Sequence, residues 1–597
     1  MQHDAGLGII TQQFEHRKTY WPQTRLTFEY ELFGICFRVA YLSGVMGVIM
    51  KASDLFIQAL ENEGVEYIFG IPGEENLDLL ESLRKSKKIR LILTRHEQGA
   101  AFMAATYGRL TGKAGVCLAT LGPGATNFTT PAAYGFLGGF PLVMITGQKP
   151  IKKSKQGQFQ IIDVVQLFAP ICKMTKQIVN ANTIPSLVRE AFRVAEEEKP
   201  GPVLLELPED IAEEPADMVD LIPPGERHYA IAGENVIQIA AEAIKNAKRP
   251  LLLIGAGANR KEARRAISDF IGVIGVPFCN TQMGKGVVDE SSSYFLGTAA
   301  LSDKDYLHDY IKVSDLIVNI GHDVVEKPPF FMEHGGTKVI HVNYKSAQVD
   351  QVYFPQIEVV GDIALSVDAL AAALGSNLNI DLGDFEKVRD NVKEKIFRLG
   401  EETSFPMRPQ EIVSEIRSLM GYHDIIALDN GVYKIWFARN YLAFQPNTIL
   451  LDNALATMGA GLPSAMLAAL IHPNRKVMSI CGDGGFMMNS QEIETAVRLN
   501  LNLVVLILND NSYGMIRWKQ AGSGFEDWGL EYNNPNFVRY AESYGAHGHR
   551  ITSVTGFTET VDRAYRQGGV HLIDLPVDYS QNVKELITDL ADHQSVV

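Results

Sequence analysis

The sequence predicts an α/β protein of three doubly wound parallel-sheet domains, and three observations carry that expectation. The first is a βαβ unit near the carboxyl end. Lys476–Cys481 and Leu503–Leu508 are apolar runs of strand length separated by a helical stretch, and a crossover between such strands makes them parallel and right-handed. The second is an internal echo. Gly201 leads into the apolar run Pro202–Leu205 and then Leu207-Pro208-Glu209, and Gly569 leads into Val570–Ile573 and then Leu575-Pro576-Val577-Asp578. A glycine, an apolar strand, then Leu-Pro and an acid, met twice, imply two related sheets, one near each end of the chain. The third is the segment between them. Arg249-Pro250 opens Leu251–Ile254 ahead of Gly255-Ala256-Gly257, and Ser314–Gly321 and Val339–Asn343 add further buried strands.

In chain order, residues 1–49 form an extension unlike the rest. Phe33–Met50 is largely apolar, but Arg38 and its marginal length argue against a membrane span. It also lacks a cleavage pattern after a basic region. Met50-Lys51-Ala52-Ser53-Asp54-Leu55 looks like a natural enzyme start, so the extension is expected to be upstream sequence of little function. Ser53 is the expected N-cap of a helix carrying Leu55, Ala59 and Leu60 on one side. The first domain covers 50–215, and within it Leu91–Leu93 reads as a strand running into a helix. Pro223-Pro224-Gly225 is a linker. The central domain covers 226–375, Ala364–Gly400 reads as mostly helical, and the last domain, entered near Pro406, covers 405–585 before a tail at 586–597.

The chain has 597 residues, a formal net charge of −15 and a pI near 5.5. That balance disfavours nucleic acid as a partner. The five cysteines, Cys36, Cys117, Cys172, Cys279 and Cys481, are scattered, odd in number and without metal-ligand spacing. They suit a reducing cytoplasm.

The chemistry concentrates at Gly482-Asp483-Gly484-Gly485 and Asn509-Asp510-Asn511. Both follow apolar strands, so Asp483 and Asp510 fall at the carboxyl ends of those strands, the edge where open α/β sheets bind ligands. Two carboxylates with a backbone carbonyl such as that of Ser512 make a hard oxygen set suited to Mg²⁺ that shares substrate phosphates. The glycines let backbone approach a phosphate. This pattern resembles the diphosphate-binding motif of thiamine-diphosphate enzymes: Gly-Asp-Gly, then an Asn pair at a fixed interval. Asp510 follows Asp483 by 27 positions, which fits, and replaces the second Asn while keeping an oxygen ligand.

Arg95-His96-Glu97-Gln98 resembles the catalytic-glutamate segment of the same family. There the glutamate bonds the aminopyrimidine ring and favours the tautomer that deprotonates the thiazolium carbon. Taken alone, Glu97 more commonly reads as a first-turn glutamate favoured by the helix dipole. Phe69-Gly70-Ile71-Pro72-Gly73-Glu74 and Leu121-Gly122-Pro123-Gly124-Ala125-Thr126-Asn127 resemble cofactor-pocket loops of the acetohydroxyacid (acetolactate) synthase branch. Asp429-Asn430-Gly431 and Ala456–Pro463 have family counterparts as well. In the second, a methionine props the cofactor in its bent shape, a role Met458 would inherit, with core packing as its plain alternative. Tyr513, Gly514 and Met515 continue the diphosphate loop.

The resemblance implies a pyrimidine-binding, a central and a diphosphate-binding domain, with thiamine diphosphate and Mg²⁺ as cofactors. Decarboxylation of pyruvate and condensation with a second 2-oxo acid would then give 2-acetolactate. It also implies at least a homodimer, and further a homotetramer, in which Glu97 of one chain serves Asp483 of another. Gly157-Gln158-Phe159-Gln160 resembles the synthase Ala-Phe-Gln-Glu segment and puts Phe159 and Gln160, with Gly122, near substrate. Lys173 resembles a family channel lysine and reads otherwise as a solvated surface lysine. Trp518 comes one position early for the tryptophan tied to 2-ketobutyrate preference, and Tyr433 stands where synthases have His. The FAD-binding Arg-Phe-Asp-Asp-Arg stretch is absent. Gly321-His322-Asp323-Val324-Val325-Glu326 occupies its place, closer to the FAD-independent catabolic enzymes, so FAD is not expected.

Rival readings are a decarboxylase or lyase for another 2-oxo acid, a sulfoacetaldehyde-type acetyltransferase, and a silent cofactor-binding protein. The sequence has no His-His pair of the kind a decarboxylase would suggest. A silent protein would have lost Glu97 or Asp483. The expected setting is the cytoplasm, with no membrane or nucleic-acid partner.

Overall fold

The structure, a computed structural model, describes residues 27–32, 35–42, 45–152, 157–217, 220–225, 229–302, 304–323, 325–326, 331–375, 378–397 and 403–597. Residues 1–26, the proposed boundary at 226, Val324 and Gly400 lie outside them. Within the extension, β1 (Thr27–Leu32), β2 (Ile35–Leu42) and β3 (Val45–Lys51) run antiparallel.

The first large sheet comprises β4 (Tyr67–Gly70), β5 (Arg90–Leu93), β6 (Gly115–Ala119), β7 (Leu142–Gln148), β8 (Met174–Gln177) and β9 (Pro202–Pro208). All its pairings are parallel, in the order β5-β4-β6-β7-β9-β8. A short strand, β10 (Pro215–Asp217), returns to pair with β3. The central sheet contains β11 (Pro250–Ile254), β12 (Phe278–Thr281), β13 (Phe295–Ala299), β14 (Leu316–Ile320), β15 (Lys338–Asn343) and β16 (Ile357–Val360). Its order, β13-β12-β11-β14-β15-β16, is the doubly wound order of dinucleotide-binding sheets. The last sheet contains β17 (Ile425–Leu428), β18 (Ile449–Leu450), β19 (Val477–Gly482), β20 (Leu503–Asn509), β21 (His547–Arg550) and β22 (Val570–Pro576).

The order of the last sheet, β18-β17-β19-β20-β22-β21, repeats that of the first strand for strand. The echoed segments are β9 and β22, each the fifth strand across its sheet. The βαβ unit is β19 and β20, paired in parallel from Met478↔Val504 to Gly482↔Leu508. The inner strands of each sheet are buried on both faces, which is why they read as unbroken apolar runs.

One sequence expectation changes. Ser53 is not a cap. Lys51 keeps an extended backbone, the helix starts at Ala52, and Ser53 is buried in its first turn, accepting a hydrogen bond from the Ser82 hydroxyl at 2.9 Å. The stretch from Ala364 is two helices, Ile363–Leu374 and Gly383–Val392, separated by a break that begins at Gly375. The glycine takes φ +68°, a backbone that ends a helix.

One apolar core joins the first domain to the last. Phe102 and Met103 of the Glu97–Thr111 helix belong to the same cluster as Leu462 and Met466 of the Gly461–Ile471 helix. The Thr106 and Ser464 hydroxyls bond across that contact at 2.9 Å. Two buried ion pairs hold the central region. Lys285–Glu290 lies at 2.8 Å, and Arg439 of the last domain reaches Asp305 at 2.7 Å. Such pairs cost desolvation and are strongly destabilising to break from one side. Among the described residues no helix is long and apolar enough to cross a membrane.

Candidate active site

The first half-site sits at the carboxyl edge of the first sheet. After β5, the Thr94–His96 segment turns into the Glu97–Thr111 helix, whose first residue is Glu97. The cap is His96, whose Nδ1 accepts the Gln98 N–H at 3.0 Å, a bond that assigns its proton to Nε2. The half-buried Glu97 carboxylate accepts from Asn127 Nδ2 at 2.9 Å. Gly124 lies against it as well, since a Cβ there would stand 3.3 Å from Glu97 Oε1. Gly122 has φ +47°, and a Cβ on it would lie 2.7 Å from the Gln160 carbonyl oxygen. Only glycine meets both demands. Glu97, Gly122 and Gln160 therefore share one edge, while Phe159 is 74% exposed. Pro72 and Gly73 follow β4 at the same edge. Lys173 is elsewhere. Its N–H bonds Pro202 at the start of the β8–β9 pair, the amino edge, and its ammonium donates to the Glu197 carbonyl at 2.6 Å. The chain does not bring Lys173 to Glu97, because Lys173 comes just before β8, which starts at the amino edge and only then runs toward the edge of Glu97. Burial pulls its ammonium down to about 8.

The second half-site sits at the carboxyl edge of the last sheet. Asp483 is buried, accepting from Gly484 N–H at 3.0 Å, Tyr532 hydroxyl at 3.1 Å and Asn534 Nδ2 at 2.6 Å. The Tyr532 hydroxyl also lies 3.2 Å from the Ser512 carbonyl. One hydroxyl within reach of both oxygens places the Asp483 carboxylate beside the Ser512 carbonyl. Burial, and next the Asp483 charge, push the Asp510 carboxyl up to about 7. Two carboxylates and a carbonyl, crowded enough to perturb each other, are a donor set that a divalent cation relieves. Among the described residues no cluster of three or more His, Cys, Asp or Glu side chains has metal-binding geometry, so the remaining ligands would come from outside the side chains.

Asp429, quoted in the sequence only as part of a loop, is the organiser here. It is buried and accepts N–H groups from Asn430 at 2.6 Å, Gly459 at 2.9 Å and Gly461 at 3.3 Å. It thereby ties the Asn430–Gly431 loop to the loop carrying the half-buried Met458. A Cβ on Gly485 would lie 3.2 Å from its Cγ. Burial raises it to about 6 against the pull of those amides. Tyr433 is buried between Gly431 and Gly482, with its hydroxyl accepting the Gly482 N–H at 2.9 Å. It props the glycine backbone from behind, which a histidine directed at a diphosphate would not do. Tyr513 is 38% exposed and packs against Tyr532 with tilted rings, centroids 5.0 Å apart. A Cβ on Gly514 would lie 3.0 Å from the Asp510 carboxylate, and Met515 packs at the rim of the core. Trp518 is a core residue, 9% exposed. Among the described residues no hydrogen bond joins Glu97 to Asp483, Asp510 or Ser512.

The central turn Gly255-Ala256-Gly257 has spent its donors. Gly255 N–H bonds Ile320, Gly257 N–H bonds Gly321 at 2.8 Å, and Ala256 N–H bonds the buried Glu326 carboxylate at 2.9 Å. A phosphate-binding turn needs those N–H groups free, and here all three are already bonded.

Sequence reasoning missed Asn127 as the partner of Glu97, and Tyr532, Asn534 and Glu492 altogether. Asn127 lay inside a quoted motif. The other three lie outside every motif, and only the folded sheet edges bring them in.

Comparison with known proteins agrees with this layout. The family models for the thiamine pyrophosphate enzyme match in three parts: the N-terminal TPP binding domain over residues 50–167, the central domain over 237–370 and the C-terminal TPP binding domain over 429–575. The catabolic acetolactate synthase of Raoultella terrigena is 34% identical over 89% of this chain and 95% of its own. The acetolactate synthase of Bacillus subtilis is 31% identical over 89% of this chain and 94% of its own. A probable acetolactate synthase large subunit of Methanococcus aeolicus is 32% identical over 89% and 92%. With two half-sites at matching edges of matching sheets and relatives along nearly its whole length, the chain belongs to the thiamine pyrophosphate enzyme family, among its acetolactate synthases.

Proposed function

We propose that this chain is an acetolactate synthase, which decarboxylates pyruvate and joins the two-carbon unit to a second 2-oxo acid, giving 2-acetolactate from two pyruvates. The observation that carries the reading is the pairing of a glutamate half-site with an oxygen-rich half-site on two sheets of one strand order. When bound, thiamine diphosphate supplies the carbanion chemistry and the electron sink for decarboxylation. Asp483, Asp510 and the Ser512 carbonyl would hold Mg²⁺ against its diphosphate. Gly482, Gly484, Gly485, Asn430, Gly431, Tyr513, Gly514 and Met515 line that end, Pro72 and Gly73 the pyrimidine end, and Met458 supports the bend between. Glu97 holds and moves the aminopyrimidine proton, with Asn127 setting the orientation of its carboxylate. The Gln160 amide, kept close by Gly122, is the partner for a substrate carboxylate or developing alkoxide, with Phe159 next to it in the chain.

The reading includes a homodimer, or a pair of homodimers, with each site shared between subunits, as in the family this chain resembles. It excludes FAD, which the spent Gly255–Gly257 turn supports. The test is product analysis with pyruvate, Mg²⁺ and thiamine diphosphate, with and without FAD, alongside light scattering. Acetolactate formed equally in both mixtures by a dimer or larger species is expected. Acetaldehyde as the product, or an active monomer, would overturn the corresponding part of the reading.

A further inference from the structure

The Glu492 carboxylate is fully buried at the start of the Glu492–Arg498 helix in the last domain, yet its partners are in the first. It accepts the backbone N–H of His96 at 2.9 Å and of Arg95 at 3.1 Å, and the Thr495 hydroxyl at 2.7 Å. Among the described residues it makes no ion pair. A buried carboxylate with no cation is costly to keep, and a neutral acceptor would satisfy two amides. What a carboxylate adds is strength and a fork, because charge-assisted bonds are shorter and stiffer. The two amides it grips are the two immediately before Glu97.

The residue after Glu97 is gripped too. Asn489, three positions before Glu492, donates to the Gln98 side-chain carbonyl at 3.1 Å. Gly99 is held open for the same contact, since a Cβ there would stand 2.8 Å from Glu492 Oε1. Backbone before Glu97 and side chain after it are thus both fixed by one turn of the last domain. Among the described residues the Glu97 carboxylate has one side-chain hydrogen-bond partner, Asn127.

We propose that Glu492 is a positioning residue for Glu97: held across the domain boundary, its carboxylate sets the backbone from which the Glu97 side chain reaches the cofactor. The proposal rests on the reading of Glu97 given above. Glu492 follows Asp483 by nine positions. If sites are shared between subunits, the turn after one site's diphosphate loop therefore sets the glutamate of the other site.

The test uses Glu492→Gln and Gly99→Ala, with Glu97→Gln as reference, in the full-length protein. Gly99→Ala keeps the carboxylate and displaces it from the opposite side. Amide hydrogen exchange at Arg95 and His96 is read in the cofactor-free protein. Melting temperature, half-saturating thiamine diphosphate, and kcat and KM for pyruvate are read in the loaded one. In both variants the two amides should lose protection by about tenfold or more. kcat should fall about ten- to a hundredfold, the scale of a reacting group misplaced by an ångström, with KM, cofactor saturation and melting temperature near wild type. Wild-type exchange and kcat in both variants would overturn the proposal. So would a fall in kcat matched by lost cofactor saturation or lost folding, which is what a merely structural role produces. If Glu97→Gln keeps wild-type kcat, the assignment of Glu97 fails first and this inference with it. If Glu97→Gln is inactive while the other two behave as wild type, the positioning role alone fails.

Discussion

Replacing His549 by Gln should make the protein less sensitive to mild acid. His549 on β21 and His571 on β22 share one hydrogen bond, Nε2 to Nδ1 at 3.1 Å, and the His571 ring also stacks on His547, with centroids 4.6 Å apart. A single proton serves the shared bond, so both rings cannot be charged and keep it. Burial, then the neighbouring His571, Arg563 and His547, pull His549 from 6.5 down to about 4. The sign follows from the depressed value. The folded state favours the neutral ring, so this stability is present above 6.5 and is lost as pH falls from there towards 4. At pH 5 the unfolded chain would bind nearly one proton more at this position, a loss of about 2 kcal/mol, or about 1–2 kcal/mol after partial exposure and coupling to His571. Glutamine can keep a hydrogen bond to His571 and does not titrate. Urea unfolding at pH 7 and pH 5 should thus show a drop in stability smaller by about 1–2 kcal/mol in His549→Gln than in wild type. Equal drops in the two proteins would refute the reasoning.

Three further outcomes follow from the geometry. Gly122→Ala meets both a left-handed backbone and the Gln160 carbonyl, so it should cost about 1–3 kcal/mol locally and reduce kcat/KM for pyruvate more than it lowers the melting temperature. Glu290→Gln leaves Lys285 charged in the interior without its partner, and should destabilise by about 3–5 kcal/mol in urea melts. Trp518→Ala should cost about 3–5 kcal/mol as a core truncation. In a competition between pyruvate and 2-ketobutyrate it should leave the product ratio unchanged, because the ring is buried in the core of its own domain.

The βαβ unit, the echo and the candidate oxygen set were legible because each is local. An apolar run, a glycine turn and an acid lie within a dozen residues, and parallel pairing then fixes which edge they share. The placement of Glu97 at the start of the helix after β5 was legible for the same reason. Asp429 and Glu492 were not, since nothing local separates a buried carboxylate that grips backbone from a solvated one. Their roles exist only once two loops, or two domains, touch. Tyr532 and Asn534 come from an irregular stretch with no periodicity to read. The strands of the extension were missed because Ile35–Leu42 is apolar at almost every position, so alternation gives no signal. Lys173 resembled a channel residue by its neighbours in sequence, yet one strand's length moves a side chain from one edge of a sheet to the other.

The matching strand orders of the first and last sheets carry one more consequence. The helix that follows β5 and the helix that follows β18 occupy equivalent places in the two sheets, and these are the helices that meet at Thr106 and Ser464. Equivalent surfaces facing each other about an axis are the mark of an isologous dimer contact. The first and last domains of one chain therefore meet through equivalent helices of one shared sheet plan, with the central domain between them in sequence. On that shared plan one sheet edge carries Glu97 and the other carries Asp483 and Asp510, and the helix contact ties the two sheets together.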